Sequence, residues 1–494
     1  MARRRFPSSI GMAFNSFVFA VFLPLVIGLY WLMRRSTVAQ NWMLLVASYV
    51  FYGWWDWRFL TLLFASTLVD HAVAIKIHGS HADQTPAGAK RRRALLSLSL
   101  ITNLGMLGFF KYFNFFAGSM AALLASVGIE ADPFYLDIVL PVGISFYSFQ
   151  TLSYTIDVYR GEMPPAKTFR DFALYVAFFP QLVAGPIERA VALVPQIERA
   201  RRFDRLRFTD GLHLIFWGLF KKIYVADNLA PFVNATFANS NASGFEVLLG
   251  IYGFAFQIYC DFSGYSDVAR GCSKLMGFEL MRNFAFPYVS VNPSDFWRRG
   301  HISLSTWLRD YLYVPLGGNR HGTWKTYRNL SLTMLLGGLW HGATWMFVIW
   351  GAYQGLLLVV HRLATHGRAA AASVKEAATT PAVLLWRVAR VVVMFQFVCI
   401  GWLFFRAESV SQAGSMLARL LTWSGSTDIG LVMPLLTFVG PLVLVEALLG
   451  LARREALYHV DRVPGILRAA AYGVLFYLTA FHGAASQSFI YFQF

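Results

Sequence analysis

The run LSLTMLLGGLWHGATWMFVIW, residues 330–350, decides the fold. It contains no Asp, Glu, Lys or Arg. At 1.5 Å of rise per residue a helix of this length reaches about 30 Å, the thickness of a bilayer's hydrocarbon core. His341 falls near its middle. Read as one membrane-spanning helix, the run puts an imidazole near mid-bilayer depth, where an ionisable group is by default a functional one. Gly337, Gly338 and Gly342 surround it and let other backbone, or a ligand, come close. The plain alternative is a neutral histidine hydrogen-bonded between helices.

Similar apolar runs extend outward in both directions: 17–33, 42–55, 59–77, 94–116, 138–158, 208–225 and 245–259 before it, and 352–363, 383–405, 431–451 and 466–481 after it. They predict an all-α polytopic membrane protein with roughly ten to twelve spans plus partial ones. The chain is 57% hydrophobic and 14% charged, where a soluble protein carries about 25% charged residues. Its mean hydropathy is +0.50. A water-soluble globule could not hide so much apolar surface, so lipid is the solvent. No repeat and no shift of composition marks a boundary, and residues 1–494 read as a single membrane-embedded domain.

The formal net charge is +17 and the pI about 9.9. Nucleic acid is not the expected partner, because the basic residues sit in short stretches between apolar runs. The strongest are Lys90 to Arg93, Arg199 to Arg207 and the pair Arg34 and Arg35. All three fall on the cytoplasmic side if the first span runs inward and residues 169–186 do not fully cross; there they meet anionic head groups and favour an anionic substrate. Arg3 to Arg5 would then lie outside, against the same rule; translation starting at Met12 resolves the conflict. Cys260, Cys272 and Cys399 have neither disulfide-framework nor zinc spacing and read as buried small hydrophobes. No spacing suggests a metal site.

Two segments do not read as simple spans. Residues 169–186 are apolar but interrupted by Pro180 and by Gly185-Pro186. Residues 292–313 open as a helix with Pro293 in the first turn, yet carry Asp295, Arg298, Arg299, Arg309 and Asp310. Those charges cannot face lipid, so the segment lies at an interface, re-enters, or lines a polar cavity.

Among eleven histidines, His71, His78, His81, His361, His366 and His459 lie near charged or connecting segments and read as solvated. His301 differs, standing in a dense alternation of polar and aromatic residues from Trp297 to Tyr313. It lines a cavity, or the segment is an interfacial amphipathic helix with Trp and Tyr anchors. Asp261 and Asp267 sit in an otherwise apolar stretch, and Arg270, Lys274 or Arg298 could pair with them.

Residues 144–160 (ISFYSFQTLSYTIDVYR), 178–186 (FFPQLVAGP), 261–267 (DFSGYSD), 296–313 (FWRRGHISLSTWLRDYLY) and 336–343 (LGGLWHGA) closely resemble the bacterial branch of the membrane-bound O-acyltransferases. The stretch from Met12 and the closing FIYFQF, 489–494, resemble the head and tail of its alginate O-acetylation subfamily, so the likeness covers nearly the whole chain. The resemblance implies a multi-helix ring with re-entrant segments around a central tunnel, in the bacterial inner membrane. It implies acyl transfer, with His341 catalytic and His301 a second required position. Trp297, Trp307, Asp310, Tyr311 and Trp340 become candidates for holding substrate, and Asp261, Asp267 and Arg298 for structural ion pairs. Gly300 departs from the pattern, which has a bulkier aromatic before the histidine.

That chemistry suits the residues. A sugar hydroxyl needs a general base as it attacks a thioester carbonyl, and removal from water keeps an imidazole neutral and competent. His301, Trp297 or Tyr311 could orient the donor or stabilise the oxyanion. The implied donor is acetyl-CoA or another acyl thioester, on CoA or an acyl carrier, with no permanently bound cofactor. The implied partners are an exported polysaccharide and a periplasmic SGNH-like acetyltransferase. Alginate is the expected acceptor; cellulose, peptidoglycan, another envelope glycan, or D-alanyl transfer to teichoic acid are the rivals within the family. A transporter using His301, His341, Asp261 and Asp267 as a proton relay is the rival outside it, and would favour inverted repeats.

Overall fold

The computed structural model describes residues 12–130, 132–365, 380–452 and 463–492. Arg3 to Arg5, the start before Met12, His366 and His459 lie outside them. Among the described residues every regular element is helical. Six stretches are long and apolar enough to cross a membrane: Thr37–Gly79, Pro86–Ser126, Gly244–Leu275, Trp345–Thr365, Pro381–Arg406 and Ile429–Ala452. Phe17–Leu32 and Gly465–Phe481 are shorter apolar helices. Many outward side chains on them are bare hydrophobics, such as Leu25, Val46, Leu385 and Leu444. In water that surface would be costly; in acyl chains it is the favourable one.

The chain forms two compact units, one of residues 1–216 with 265–281 and the other of 217–264 with 282–494. The first contains α1 (Phe17–Leu32), α2 (Thr37–Asp56), α3 (Leu60–Gly79), α4 (Pro86–Leu107), α5 (Phe113–Ser126), α6 (Ile144–Arg160), α7 (Phe169–Ala177), α8 (Phe179–Leu182) and α9 (Ala190–Glu198), with most of α10 (Arg205–Leu219). Its helices are held by buried polar groups. Asp70 on α3 accepts from Ser99 and from Asn103 (2.8 Å) on α4 and from Thr155 (3.3 Å) on α6. Such bonds tie helices together where lipid offers no hydrophobic drive. The segment 169–186 breaks at Phe178, with Pro180 in the first turn of α8, as its prolines predict. Lys90 to Arg93 lie in the first turns of α4, not in a connector. Arg201 is buried, donating to Asn41 Oδ1 at 2.6 Å and to the Ile197 carbonyl at 2.7 Å, so its charge is used internally.

The second unit contains α11 (Asp227–Ala238), most of α12 (Gly244–Leu275), α13 (Pro293–Arg299), α14 (Ile302–Leu308), α15 (Thr323–His341), α16 (Trp345–Thr365), α17 (Pro381–Arg406), α18 (Val410–Thr422), α19 (Met433–Ala452) and α20 (Gly465–Phe481). Two wide π turns, Phe220–Ala226 and Arg309–Tyr313, interrupt this unit's helices. Asn292 caps α13 through its side chain, accepting from Asp295 N–H at 2.8 Å, and Pro293 follows.

Residues 330–350 are two helices, not one. α15 ends on His341 and α16 starts at Trp345. Gly342 is extended (φ −162°, ψ 151°) and ends the helix, and a Cβ there would overlap the Phe347 ring. His341 is therefore at a helix C-terminus, and the depth inferred from the centre of a single span loses its basis.

Candidate active site

His341 owes its position to the crossing of α15 and α16. A Cβ on Gly338 would strike the Phe347 carbonyl oxygen and come within 2.9 Å of Gly351 Cα. Small residues at 338 and 351 thus let the two backbones touch, as in small-residue membrane packing. The space around Gly338 and Gly342 is filled by protein, not left for a ligand.

His301 is placed by an unusual backbone. It joins α13 to α14 in the left-handed region, φ +45° and ψ +52°. A non-glycine residue there costs on the order of 1 kcal/mol and persists only when its surroundings enforce it. Asn283 is the enforcer. Its Oδ1 accepts from Ser303 N–H (3.1 Å) and Ser303 Oγ (2.9 Å), while Ile302 N–H donates to its carbonyl at 2.9 Å. A backbone N–H can only donate, so the Asn283 atom facing it is the oxygen. His301 Nδ1, 3.3 Å from the same oxygen, must then carry a proton and donate. In the neutral ring this leaves Nε2 as a lone pair. That atom is buried and has no hydrogen-bond partner among the described residues.

The two histidine rings lie 6.1 Å apart, both buried. Trp340 is 5.0 Å from His341 and 5.8 Å from His301. Trp350 packs edge-on against His341 at 5.0 Å and Trp297 reaches Trp350 at 5.9 Å. Phe262 lies 4.6 Å from His301, and Phe405 5.4 Å from His341. The hydroxyl of Tyr491, in the turn Ile490–Phe492, is 3.2 Å from His341 Nδ1. Indole nitrogens of Trp297 and Trp350 are buried N–H donors with no partner among the described residues. A base, a bare acceptor nitrogen and unused donors in a dry aromatic shell can take a proton from a hydroxyl and hold developing charge on an oxygen.

The other candidates are elsewhere in this segment or differently paired. Trp307 and Tyr311 pack ring to ring at 5.1 Å, and Asp310 pairs with Arg309 at 2.7 Å, with 38% and 61% of their side chains exposed. Asp261 pairs with Lys222 at 2.8 Å rather than with Arg270, Lys274 or Arg298. Asp267 lies 3.6 Å from Arg270 and Arg298 3.9 Å from Asp295. Gly300 has only ordinary contacts, so a Cβ there meets Phe296 O at 3.4 Å and Pro287 Cβ at 3.6 Å. The three cysteines are buried and unbridged. Among the described residues no three His, Cys, Asp or Glu side chains are grouped to hold a metal ion.

Asn283, Trp350 and Tyr491 were not singled out by sequence. Trp350 closes the quoted run, and Tyr491 lies in the tail motif. Nothing in the pattern distinguished Asn283 from its neighbours.

Comparison with known proteins bears on the same histidines. Residues 50–405, which include both, match the model of the membrane-bound O-acyltransferase family. The chain belongs to that family. As a membrane-bound O-acyltransferase it is a multi-pass acyl-transfer enzyme. It is similar to a probable alginate O-acetylase of Azotobacter vinelandii, 44% identical over 421 residues that cover 84% of this chain and 79% of the relative. A peptidoglycan O-acetyltransferase of Helicobacter pylori is 36% identical over 84% of this chain and 80% of its own length. A teichoic acid D-alanyltransferase of Bacillus subtilis is 28% identical over 54% of this chain and 69% of its own.

Proposed function

We propose that this O-acyltransferase acetylates an exported polysaccharide of the alginate type at the bacterial inner membrane. In this reading acetyl-CoA, or another cytosolic acyl thioester, supplies the group. A periplasmic SGNH-like acetyltransferase cooperates in passing it to the polymer. The chain works as one membrane-embedded domain, with the remaining helices completing a ring of roughly ten to twelve around a central tunnel. The observation that carries the reading is the buried His301–His341 pair, rings 6.1 Å apart within the family match.

The acceptor oxygen attacks the thioester carbonyl carbon as His341 Nε2 takes its proton. The C–O bond forms and the C–S bond breaks, and the proton passes from the imidazolium to the departing sulfur. His301 Nε2, a lone pair in the neutral ring, accepts a hydrogen bond from a substrate O–H or N–H and cannot itself donate to the oxyanion. That donation falls to an indole N–H, such as that of Trp350, whose ring lies 5.0 Å from His341.

The test is His341→Ala in cells that export acetylated alginate, with ester content of the polymer measured. Loss of acetylation from a well-accumulated variant is expected, and normal acetylation would overturn the reading. A wild-type chain that restores ester groups to peptidoglycan but not to alginate would shift the acceptor to that of the Helicobacter relative.

A further inference from the structure

Gly300 is a buried glycine that the fold does not require. Its backbone is ordinary extended chain, φ −106° and ψ 133°, open to any residue. Packing leaves it free as well. A Cβ there would meet Phe296 O at 3.4 Å, Pro287 Cβ at 3.6 Å and Phe296 Cζ at 3.8 Å, all ordinary contacts. Around Gly338 and Gly342 the corresponding space is taken by the Phe347 backbone and ring. Residues three and four apart on a helix are neighbours, so position 300, at the end of α13, shares a face with Trp297 and Phe296. Its N–H closes the last turn on the Phe296 carbonyl at 2.8 Å. Trp297 leads to the site through Trp350, 5.9 Å away, which packs on His341 at 5.0 Å. The Trp297 indole nitrogen and His301 Nε2, on either side of Gly300 in sequence, are buried without a partner among the described residues. A missing side chain beside two unused polar atoms marks room for a ligand.

The lie of this wall points to which ligand. α17 touches His341 through Phe405, at 5.4 Å, whereas Phe296 packs with Met394 and Val398 of the same helix. Helix rise puts those two about 10 to 16 Å back toward the N-terminal end of α17. That end carries Arg387 and Arg390, the mark of the cytoplasmic side. Position 300 therefore faces the side from which a cytosolic thioester arrives. A proline ring and a phenyl ring bound it, and its one polar neighbour, the Phe296 carbonyl, already accepts from Gly300 N–H. Such a lining suits hydrocarbon and offers the hydroxyls of a sugar nothing.

We propose that Gly300 sets the length of the transferred acyl group. The space left by its missing side chain admits carbons beyond the acetyl methyl, so the enzyme transfers propionyl and butyryl groups as well as acetyl. The inference rests on acyl transfer from a thioester at His341. The bond changes are those of acetyl transfer: the acceptor oxygen joins the carbonyl carbon, the C–S bond breaks and the proton ends on the thiol. Only the chain on the carbonyl carbon differs, and it lies against Pro287 and Phe296.

The test gives membranes containing the full chain acetyl-, propionyl- or butyryl-CoA with a short alginate oligosaccharide and measures the ester formed. Burying one methylene is worth about fourfold, so wild type should use propionyl-CoA with kcat/KM within about fourfold of acetyl-CoA. Gly300→Trp fills the gap and Gly300→Val fills part of it. The propionyl-to-acetyl and butyryl-to-acetyl ratios of kcat/KM should fall about tenfold or more in Gly300→Trp and less in Gly300→Val. If Gly300→Trp does not accumulate, Gly300→Val carries the comparison. A general structural fault lowers all three thioesters alike; ratios unchanged in the variants, or a wild type that transfers acetyl alone, would overturn the proposal. His341→Ala in the same membranes separates the two ideas. If it is inactive while wild type takes acetyl alone, only the role of Gly300 falls; if it is active, the base assignment falls. In cells fed propionate, the same ratios are read from the masses of ester groups on the exported polymer.

Discussion

Asn283 holds His301 by one oxygen that also receives the N–H and hydroxyl of Ser303. A single amide therefore sets a backbone conformation, a side-chain orientation and a tautomer. Asn283→Leu should strand those donors and cost about 1–3 kcal/mol of stability. Activity should fall further than stability does. Thermal melting and acetyl transfer on the same preparation check both, and transfer within twofold of wild type would refute the linkage.

His301→Asn separates backbone from chemistry. Asparagine tolerates the left-handed conformation, so the fold should be kept. Removing the imidazole should still lower acetyl transfer by about 10² or more. Melting temperature and ester content are the readouts, and an active variant would remove His301 from the site.

Glycine need differs along α15. Gly338→Ala forces Cβ against the Phe347 carbonyl and Gly351 backbone, which cannot rotate away, and should cost about 1–3 kcal/mol. Gly337→Ala meets only the Leu308 Cδ1 atom at 3.1 Å, which can move, and should be nearly neutral. Folded yield after detergent extraction distinguishes the two.

Glu188 gives a pH signature. It is buried in the connector between α8 and α9, and burial lifts its carboxyl from 4.5 to about 7, against the lowering effect of Met281 and Arg189 N–H groups and of Arg189 and Arg270. The folded state therefore holds this proton more tightly than the unfolded chain does. Its contribution is complete below pH 4.5 and is lost as the pH rises to about 7. Glu188→Gln cannot ionise, so relative to wild type it should gain about 1–3 kcal/mol between pH 5 and pH 8. Melting curves across that range check it, and a constant difference would refute it.

How much of this was legible beforehand depended on the range over which each signal acts. Apolar runs revealed the membrane class, and Pro180 and Pro293 marked a break and a start, because these are local effects. The turn after His341 was hidden: Gly342-Ala-Thr is uncharged and keeps hydropathy high, while the cause of the break, the Phe347 ring, is a tertiary contact. Asp261 was recognisable as a carboxylate needing a cation. Its partner Lys222 was not, because the π turn that aims Lys222 has no sequence pattern. His301 and His341 were visible singly, whereas their 6.1 Å approach depends on Asn283 and on the contact between Gly338 and Gly351.

The segment from Pro293 to Tyr313 is two seven-residue rods that pivot at His301, the second running on into the five-residue π turn. Neither is long enough to hold its shape alone in water, since isolated helices below about 12 residues are marginal. Its form is borrowed from the wall it leans on. A peptide cut from it would be shapeless, and grafting the motif into another scaffold would carry over the letters without the geometry. For redesign of this enzyme, the unit to transplant is the cradle that bends the segment, Asn283 first.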